Sequence, residues 1–215
     1  MTKKIMFSDK FCLTQAVLAG QKTMTRRAVT MSLLDEYDAW YEDFIYKPIG
    51  EEDYLSTDEY VLKRTTHKVG DIVAIAQPYK DIIECLPMHS DAILDEVGMP
   101  RKEYKAGWTN KMFVRADLMP HHIRITDVKV EYLQNISDDD IMREGIYPQR
   151  FFNKVEYVFA TKGKLNNTPA HWLKTFPTPR EAFAALIDMV SGKGTWDFNP
   201  WVVAYSFELV KVNEL

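Results

Sequence analysis

One segment near the start of the chain concentrates side chains that can hold an anion or transfer a proton. Residues 18 to 27 read LAGQKTMTRR and contain a lysine, two threonines and two arginines: Lys22, Thr23, Thr25, Arg26 and Arg27. A lysine supplies a point charge for a phosphate or, when desolvated, a base or nucleophile, whereas an arginine supplies a planar fork for a phosphate or a base edge. The alternative is a solvated basic turn at the negative end of the preceding helix.

A carboxylate in the second half of the chain occupies an unfavourable position. Glu144 directly precedes Gly145, at the expected end of a short helix. The helix macrodipole disfavours a carboxylate there by roughly 0.3 to 1 kcal/mol, so the residue needs a cationic partner or a function. Action as a general acid or base is one interpretation, and a surface ion pair with Arg143 or a distant lysine is the other. Spacing alone does not place Glu144 near Lys22.

Further polar and aromatic residues are candidates for contacts with a nucleic acid or a nucleoside: Lys111, His122, Arg124, Trp108, Trp196, Asn199 and Trp201. Adjacent strand residues point to opposite faces, so His121 and His122 cannot easily reach one ligand together, while Arg124 shares the face of His122. The tryptophans can stack on bases, although packing in the core is the alternative for each of them.

Local patterns predict the elements that position these residues. A short apolar strand at residues 5 to 7 is followed by a helix with Ser8 as its N-cap and Gly20 as its stop. Alternating apolar residues predict a strand within 69 to 79. The longest strand candidate, residues 119 to 133, changes the phase of its apolar positions near residues 126 and 127. That change predicts a β-bulge and a curved sheet.

The remaining sequence patterns predict two helices and a final strand, and together these elements indicate the fold class. Ser137 as N-cap and Gly145 as stop define a short helix, and a second helix is predicted from Thr178 to the glycine at 192. An alternating strand over residues 201 to 210 follows. Mostly antiparallel strands with flanking helices predict an α+β fold built on a small mixed β-barrel.

Composition indicates a soluble globular protein of one domain. The chain has 215 residues, of which 46% are hydrophobic and 27% charged. No apolar run approaches the ~20 residues that cross a bilayer, and the start lacks a secretory pattern, so a cytoplasmic protein is expected. Cys12 and Cys85 are predicted to be free thiols, and no cysteine and histidine spacing indicates a metal.

Three segments lack clean periodicity and are interpreted as insertions, at about residues 31 to 66, 80 to 107 and 147 to 176. A short helix is expected near 90 to 97 in the second, and a strand at 155 to 159 in the third.

Net charge is −4, which at first argues against a nucleic-acid partner, but the acidic residues are concentrated. Residues 31 to 60 hold ten aspartates and glutamates against Lys47 alone, whereas residues 101 to 129 hold seven lysines and arginines against three acids. A basic face on the rest of the molecule is therefore permitted.

Five blocks, taken together and in order, resemble the ASCH family of the PUA-like superfamily, in particular its longer bacterial and phage-type members. The blocks are LAGQKTMTRR, VGDIVAIAQPY, HHIRITDVKVEYLQNIS, DDDIMREGI and GKGTWDFNPWVVAYSFEL. They fall within residues 4 to 29, 68 to 79, 108 to 146 and 180 to 210. The resemblance covers neither the acidic insertion nor residues 147 to 176. G-x-K-T-x-T-x-R is the most specific signature among them.

The resemblance implies a PUA-like β-barrel whose cleft handles RNA or modified bases without a metal or cofactor. Small members of the family hydrolyse the amide of acylated cytidine nucleosides. They use a lysine and a threonine of the first block and a glutamate of the later short helix, which correspond here to Lys22, Thr25 and Glu144. The lysine deprotonates or positions the threonine, and the glutamate passes a proton to the leaving amine.

Three functions are compatible with the sequence. The first is binding of RNA, another nucleic acid or a modified nucleoside through a polar basic cleft, which does not depend on catalysis. The second is a metal-independent amidohydrolase that removes the acyl group from N-acylated cytidine nucleosides. The third is a phage or mobile-element interaction protein that acts through its acidic insertion.

Overall fold

A computed structural model describes residues 3–47, 54–85, 106–165 and 168–210. The strands are β1 (Lys4–Ile5), β2 (Met24–Ala28), β3 (Ile72–Ile75), β4 (His122–Tyr132), β5 (Tyr147–Phe151), β6 (Lys154–Leu165), β7 (Thr168–Phe176) and β8 (Trp201–Leu209). The helices are α1 (Leu13–Leu18), α2 (Met31–Ile45), α3 (Thr57–Arg64), α4 (Tyr79–Cys85), α5 (Asp138–Arg143), α6 (Pro179–Ser191) and α7 (Thr195–Phe198). Within these ranges, no helix is long and apolar enough to cross a membrane.

The strands form two separate sheets. The first has five strands in the order β1-β3-β4-β8-β2, in which β1 and β3 are parallel and the other neighbours antiparallel. The second is the antiparallel meander β5-β6-β7. The fold is therefore α+β with mostly antiparallel sheets and flanking helices, as the sequence predicts. In the described ranges the five-stranded sheet has β1 and β2 as open edges, and it does not close into a barrel.

The predicted bulge in the long strand is confirmed. The pairing of β4 with β8 shifts its register between Ile125 and Asp127. Ile123 and Ile125 are fully buried before the shift, and Val128 and Val130 pack against the same core after it. One extra residue resets the alternation, so both apolar sets face inward despite their change of phase.

The first helix starts later than the sequence predicts. Cys12 has a left-handed backbone (φ 53), so regular helix begins only at Leu13, and the predicted role of Ser8 as N-cap is wrong. Ser8 instead accepts a hydrogen bond from the N–H of Leu13 through its backbone oxygen (3.0 Å). The predicted stop is confirmed, since Gly20 has a φ of 71 two residues after the helix ends.

The two later helices have the predicted ends. Ser137 Oγ accepts from the N–H of Asp140 (3.2 Å) at the start of α5, and Gly145 follows that helix with a φ of 100. Thr178 Oγ1 accepts from the N–H of Glu181 (3.2 Å) at the start of α6. Both helices are specified locally by a cap at one end and a glycine at the other.

The segments predicted as insertions contain regular structure. The described parts of residues 31 to 66 include α2 and α3, which pack through the rings of Tyr37, Trp40 and Tyr60. The described parts of residues 147 to 176 include the three strands of the meander, and the strand expected at 155 to 159 lies within β6. The helix expected near 90 to 97 falls outside the described residues.

Two apolar clusters hold the described chain together. The larger lies between the five-stranded sheet and the helices α1, α5 and α6, and it includes Val17, Ile125, Ile141, Phe183 and Phe207. The smaller packs α4 and the loop before β4 against β3, through Ala74, Ala76, Tyr79, Ile82, Val114 and Met119. Arg26 of β2 forms ion pairs with Asp140 of α5 and with Glu144 at its end, so β2 and α5 lie side by side, and these two elements carry the candidate site.

Candidate functional site

Lys22 lies where the chain leaves α1 and enters β2. Its backbone N–H donates to the oxygen of Ala16 (3.0 Å). The N–H of the next residue, Thr23, donates to the oxygen of Arg143 (2.9 Å) and so docks this segment against the end of α5. Lys22 Nζ then donates to both Oε2 (2.6 Å) and the backbone oxygen (2.8 Å) of Glu144. Two residues that lie far apart in sequence therefore meet directly.

Glu144 ends α5, and buried cations pair with both of its carboxylate oxygens. Oε2 accepts from Lys22, and Oε1 accepts from Nη1 of Arg26 at 3.1 Å. Lys22 and Glu144 are only 2% and 4% exposed, so each charge depends on its protein partners rather than on water. The two cations also offset the negative end of the helix, which explains a carboxylate at a position that the macrodipole disfavours.

Arg26 is buried and joins three carboxylates. Besides Glu144, its Nη2 donates to Glu131 Oε1 (2.7 Å) and to Asp140 Oδ2 (3.2 Å). Its Nε is buried without a hydrogen-bond partner among the described residues. Most of the guanidinium is therefore committed to the protein's own acids, and Arg26 is not available at the surface as a phosphate contact.

Asp140 extends this ion-pair network to β4. It accepts from Lys129 Nζ at 2.8 Å and from Arg143 Nη1 at 3.3 Å, in addition to Arg26. Burial alone would raise the pKa of Asp140, but the hydrogen bonds and charges of Lys129 and Arg26 outweigh burial and hold that pKa below its usual value. The carboxylate stays ionised and ties α5 to β2 and β4, so the end of α5 is fixed against Lys22.

Burial lowers the pKa of the Lys22 ammonium from its ordinary value, and the neighbouring Glu144 carboxylate opposes only part of that effect. The charges of Arg27 and Arg26 lower it further. A lysine with a lowered pKa reaches its neutral form at a lower pH and can then accept a proton. Lys22 is therefore suited to act as a base.

Thr25 completes the group. It lies on β2 opposite Tyr205 of β8 and is 5% exposed. Lys22, Thr25 and Glu144 line a single cavity of about 280 Å³. Lys22 precedes the regular part of β2, so the irregular backbone between Gly20 and Met24 brings a lysine and a threonine three residues apart to the same cavity.

The cavity has a polar end and an apolar wall. Arg26 and Arg27 join the three residues above at the polar end, while one side of α6 supplies Phe183, Leu186, Ile187 and Val190. Small-molecule sites are commonly about 300 to 1,000 Å³ and combine mostly apolar walls with a few polar groups. The cavity, at about 280 Å³, is just below that range, which favours a small organic ligand.

A second, more open cavity of about 610 Å³ adjoins the first, because Ala28 and Ser191 line both. Trp201 and Tyr132 stack at its wall with ring centroids 4.2 Å apart, and Asn199 also lines it. The structure thus places two of the predicted contact residues, Trp201 and Asn199, beside the first cavity rather than in it. Asn199 Oδ1 is engaged by the N–H of Gln134 (2.8 Å).

Arg27 and Thr23 flank the site in different ways. Arg27 lines the cavity, and its guanidinium donates to the backbone oxygen of Met6 and lies 5.9 Å from the ring centroid of Phe7. Thr23 faces away, since its Oγ1 accepts from Nε of Arg143 (3.4 Å) and it is not among the residues that line the cavity.

The remaining predicted contact residues do not line either cavity. Lys111 pairs with Asp9 (2.8 Å), and Arg124 pairs with Glu208 (3.0 Å). Trp108 packs against the smaller apolar cluster. His122 begins β4, and burial lowers its pKa.

Trp196 also lies outside both cavities. It packs edge-on against Phe183, with ring centroids 6.0 Å apart, and under the guanidinium of Arg180. For Trp108 and Trp196 the packing interpretation is therefore the one observed.

Sequence reasoning missed the acids and the lysine that surround Arg26. Glu131 and Lys129 are on β4, and their alternation with apolar residues marks them only as the polar side of a strand. Asp140 is one of three aspartates in the first turn of α5, where a favourable helix dipole accounts for all of them. An arginine within a buried strand was the available signal, because it requires buried acids as partners.

No protein-family model, no curated protein and no solved structure matches the chain. Among the residues that the structure describes, no cluster of three or more histidine, cysteine, aspartate or glutamate side chains could hold a metal ion. The function is therefore inferred from the residues of the cavity and the motif that supplies them.

Proposed function

We propose that the protein is an amidohydrolase that removes the acyl group from an N-acylated cytidine nucleoside. The observation that supports this function best is the convergence of Lys22, Thr25 and Glu144 on one small cavity, with 2.6 Å between Lys22 Nζ and Glu144 Oε2. The same three residues are those that the ASCH resemblance assigns to this reaction. A PUA-like origin of the open five-stranded sheet belongs to the same proposal.

The proposed reaction begins at Thr25. Its Oγ attacks the acyl carbonyl carbon and forms a C–O bond, while the neutral amine of Lys22 takes the hydroxyl proton. The C–N bond of the tetrahedral intermediate then breaks, and its electron pair stays on the exocyclic nitrogen of the base. Glu144 relays the proton from the Lys22 ammonium to that nitrogen. Water finally hydrolyses the Thr25 ester and releases a carboxylic acid.

Burial favours a small substrate over direct contact with an RNA backbone at this position. Lys22, Thr25 and Glu144 are each at most 5% exposed, so a phosphate of a folded polymer cannot reach them. A single acylated base can enter a cavity of about 280 Å³ and be held between the apolar wall and the polar end. Binding of a modified nucleoside is thus part of the proposed reaction.

The proposal is tested by incubating the purified full chain with N4-acetylcytidine and measuring cytidine release by chromatography. We expect turnover by the wild type and a loss of at least about 100-fold in kcat for Thr25→Val, because Val preserves the shape of Thr but has no hydroxyl. Thr25→Ser keeps the nucleophile and is expected to retain measurable activity. Thermal melting of each variant verifies that the loss is chemical.

Thr23→Ala is the matched control. Thr23 is two residues away, but its hydroxyl contacts Arg143 instead of lining the cavity. We expect this variant to keep kcat within a few-fold of the wild type. A folded wild type that leaves N4-acetylcytidine intact between pH 6 and pH 10, or a Thr25→Val variant as active as Thr23→Ala, would overturn the proposed function.

A further inference from the structure

The meander of residues 147 to 176, here called the basic arm, has a charge opposite to that of the whole chain. It contains one acid, Glu156, against five lysines and arginines: Arg150, Lys154, Lys162, Lys164 and Lys174. The complete chain has a net charge of −4. A segment this basic in an acidic protein indicates a polyanionic partner.

The proximal part of the basic arm is packed and the distal part is exposed. Phe159 stacks on Phe176 (ring centroids 5.8 Å apart) and meets Phe11 edge-on, which anchors β6 and β7 to the main core. Further along, β6 and β7 stay paired as far as Leu165 and Thr168. The side chains described there are exposed on both faces, including Lys162, His171, Trp172 and Lys174.

Trp172 presents a flat surface at this exposed end. It is 44% exposed, and a Cβ built on Gly163 would lie 2.7 Å from its Nε1, so the indole rests directly on the glycine backbone. Lys174 lies two residues along the same strand and therefore shares its face, whereas Lys162 is paired with His171 and lies on the opposite face. An aromatic ring beside a lysine is the combination that single-strand binding proteins use to stack bases and hold phosphates.

The basic arm also contacts the segment that supplies part of the cavity wall. The N–H of Lys162 and the hydroxyl of Thr161 both donate to the backbone oxygen of Lys10, at 2.7 and 3.3 Å. Ser8, two residues earlier, lines the cavity. Burial lowers the pKa of Lys111, hydrogen bonding to Asp9 opposes that effect, and the charge of Lys162 lowers the pKa further. Lys111 in turn donates to the backbone oxygen of Phe7, which lines the cavity, so the charge of Lys162 acts close to the candidate site.

We infer that the basic arm binds a single-stranded nucleic acid, with Lys174 at a phosphate and Trp172 stacked on a base. We further infer that the bound strand presents a modified nucleoside to the adjoining cavity, and this second step rests on the proposed function. A single strand fits this arrangement better than a duplex, because a paired base could neither cover the indole nor enter the cavity without being extruded.

The inference is tested by fluorescence anisotropy with dye-labelled 20-nucleotide oligo(rU) and oligo(dT), which separate RNA from DNA as the ligand. We expect Lys174→Ala to weaken binding at least threefold at low salt. Removal of this one lysine should lower the slope of log affinity against log salt by about 0.7. Trp172→Ala should weaken binding at least fivefold, and Trp172→Phe should restore most of the loss. Lys63→Ala, which removes an exposed lysine on α3, is the control and should change affinity less than twofold.

The outcomes separate the arm from the catalytic proposal. Arm variants that lose oligonucleotide binding but hydrolyse free N4-acetylcytidine at the wild-type rate support both ideas. If the chain binds oligonucleotides through the arm but does not hydrolyse the nucleoside, the inference that the arm binds single strands is supported. The proposal that the bound strand presents a nucleoside to the cavity is then wrong. The inference fails if the wild type binds neither oligonucleotide at low salt, if Lys63→Ala weakens binding as much as the arm variants do, or if poly-glutamate competes as effectively as oligo(rU).

Discussion

In the proposed reaction Lys22 has to lose its proton, although it is buried and paired with Glu144, and the burial and the pairing act on its pKa in opposite directions. The carboxylate of Glu144 favours the charged amine, while burial and the nearby arginines favour the neutral one. The pKa of Lys22 is lowered overall, so its neutral amine forms at a lower pH than that of an ordinary lysine.

The rise of kcat/KM on the acid side of the pH profile is therefore expected to follow the deprotonation of Lys22. In the proposed reaction, kcat/KM rises with pH as Lys22 loses its proton, below the pH at which a free lysine would do so. Lys22→Arg keeps the positive charge but cannot lose it, so its activity should fall at least about 100-fold at every pH. Initial rates between pH 6 and 10 measure both effects. An active Lys22→Arg variant, or a flat profile, would assign the base to another group.

Glu144 should contribute to stability as well as to chemistry. Glu144→Gln leaves two buried cations, Lys22 and Arg26, without this counter-charge, and breaking a buried pair typically costs about 3 to 5 kcal/mol. We expect urea unfolding to show a loss close to the lower figure, because Arg26 keeps Glu131 and Asp140 as partners.

The control for that measurement is Glu208→Gln. This residue forms a solvent-exposed pair with Arg124, and exposed pairs contribute about 0 to 1 kcal/mol. Similar losses for the two variants would mean that the buried pair is not a stabilising element. The double variant Glu144→Gln/Lys22→Met should recover part of the loss, since it also removes one uncompensated charge.

At the level of elements, α5 carries both Glu144 and Asp140, and a single serine starts it. Ser137→Ala removes the side-chain bond to the N–H of Asp140 and should cost about 1 kcal/mol of stability. The first turn of α5 is then less rigidly held, and so is the Asp140 carboxylate, which accepts hydrogen bonds from Arg26 and Lys129. We expect a several-fold increase in KM for N4-acetylcytidine together with the lower melting temperature.

Ser56→Ala is the corresponding change away from the site. Ser56 caps α3 through a capping box with Glu59, so its loss should lower stability by a similar amount without altering KM. Equal kinetic effects of the two substitutions would show that α5 does not position the site.

Elements specified by local signals were predictable, and those set by tertiary contacts were not. The caps of α5 and α6 and the β4 bulge are encoded within a few residues, so sequence patterns identified them. The delayed start of α1 depends on a left-handed Cys12, and α2 packs through aromatic rings that α3 supplies from elsewhere in the chain. For the site, the resemblance assigned Lys22, Thr25 and Glu144, but only the fold shows that Lys22 and Glu144 meet across 122 positions of the sequence.

For the molecule as a whole, the shifted titrations indicate lower stability in acid. Burial lowers the pKa of His67, with a smaller effect from the charge of Lys3, and burial also lowers that of His122. As pH falls through about 6.5, the unfolded chain takes up protons that the folded chain does not accept, so stability declines. Aspartates with lowered pKa values, including Asp71 and Asp140, add a second decline once pH falls below their ordinary values.

His67→Phe is expected to reduce the first decline. The ring sits edge-on to Tyr205, with centroids 5.5 Å apart, and its Nδ1 has no hydrogen-bond partner in the described part of the chain, so phenylalanine can replace it. The melting temperature should fall less between pH 7.5 and 5.5 in this variant than in the wild type. The same substitution at the exposed His171 should leave the pH slope unchanged. Parallel slopes for wild type and His67→Phe would contradict the assignment.

The pairing of β2 has a consequence for the order in which a newly made chain would acquire the proposed activity. Among the described strands, β2, which carries Thr25, lies at the edge of the sheet and pairs only with β8, where Thr25 is opposite Tyr205. During synthesis, a ribosome has to produce residue 205 before that pairing can form. If the proposed function is right, a nascent or prematurely terminated chain that lacks β8 should therefore have no amidohydrolase activity, even though it already contains Lys22, Thr25 and Glu144.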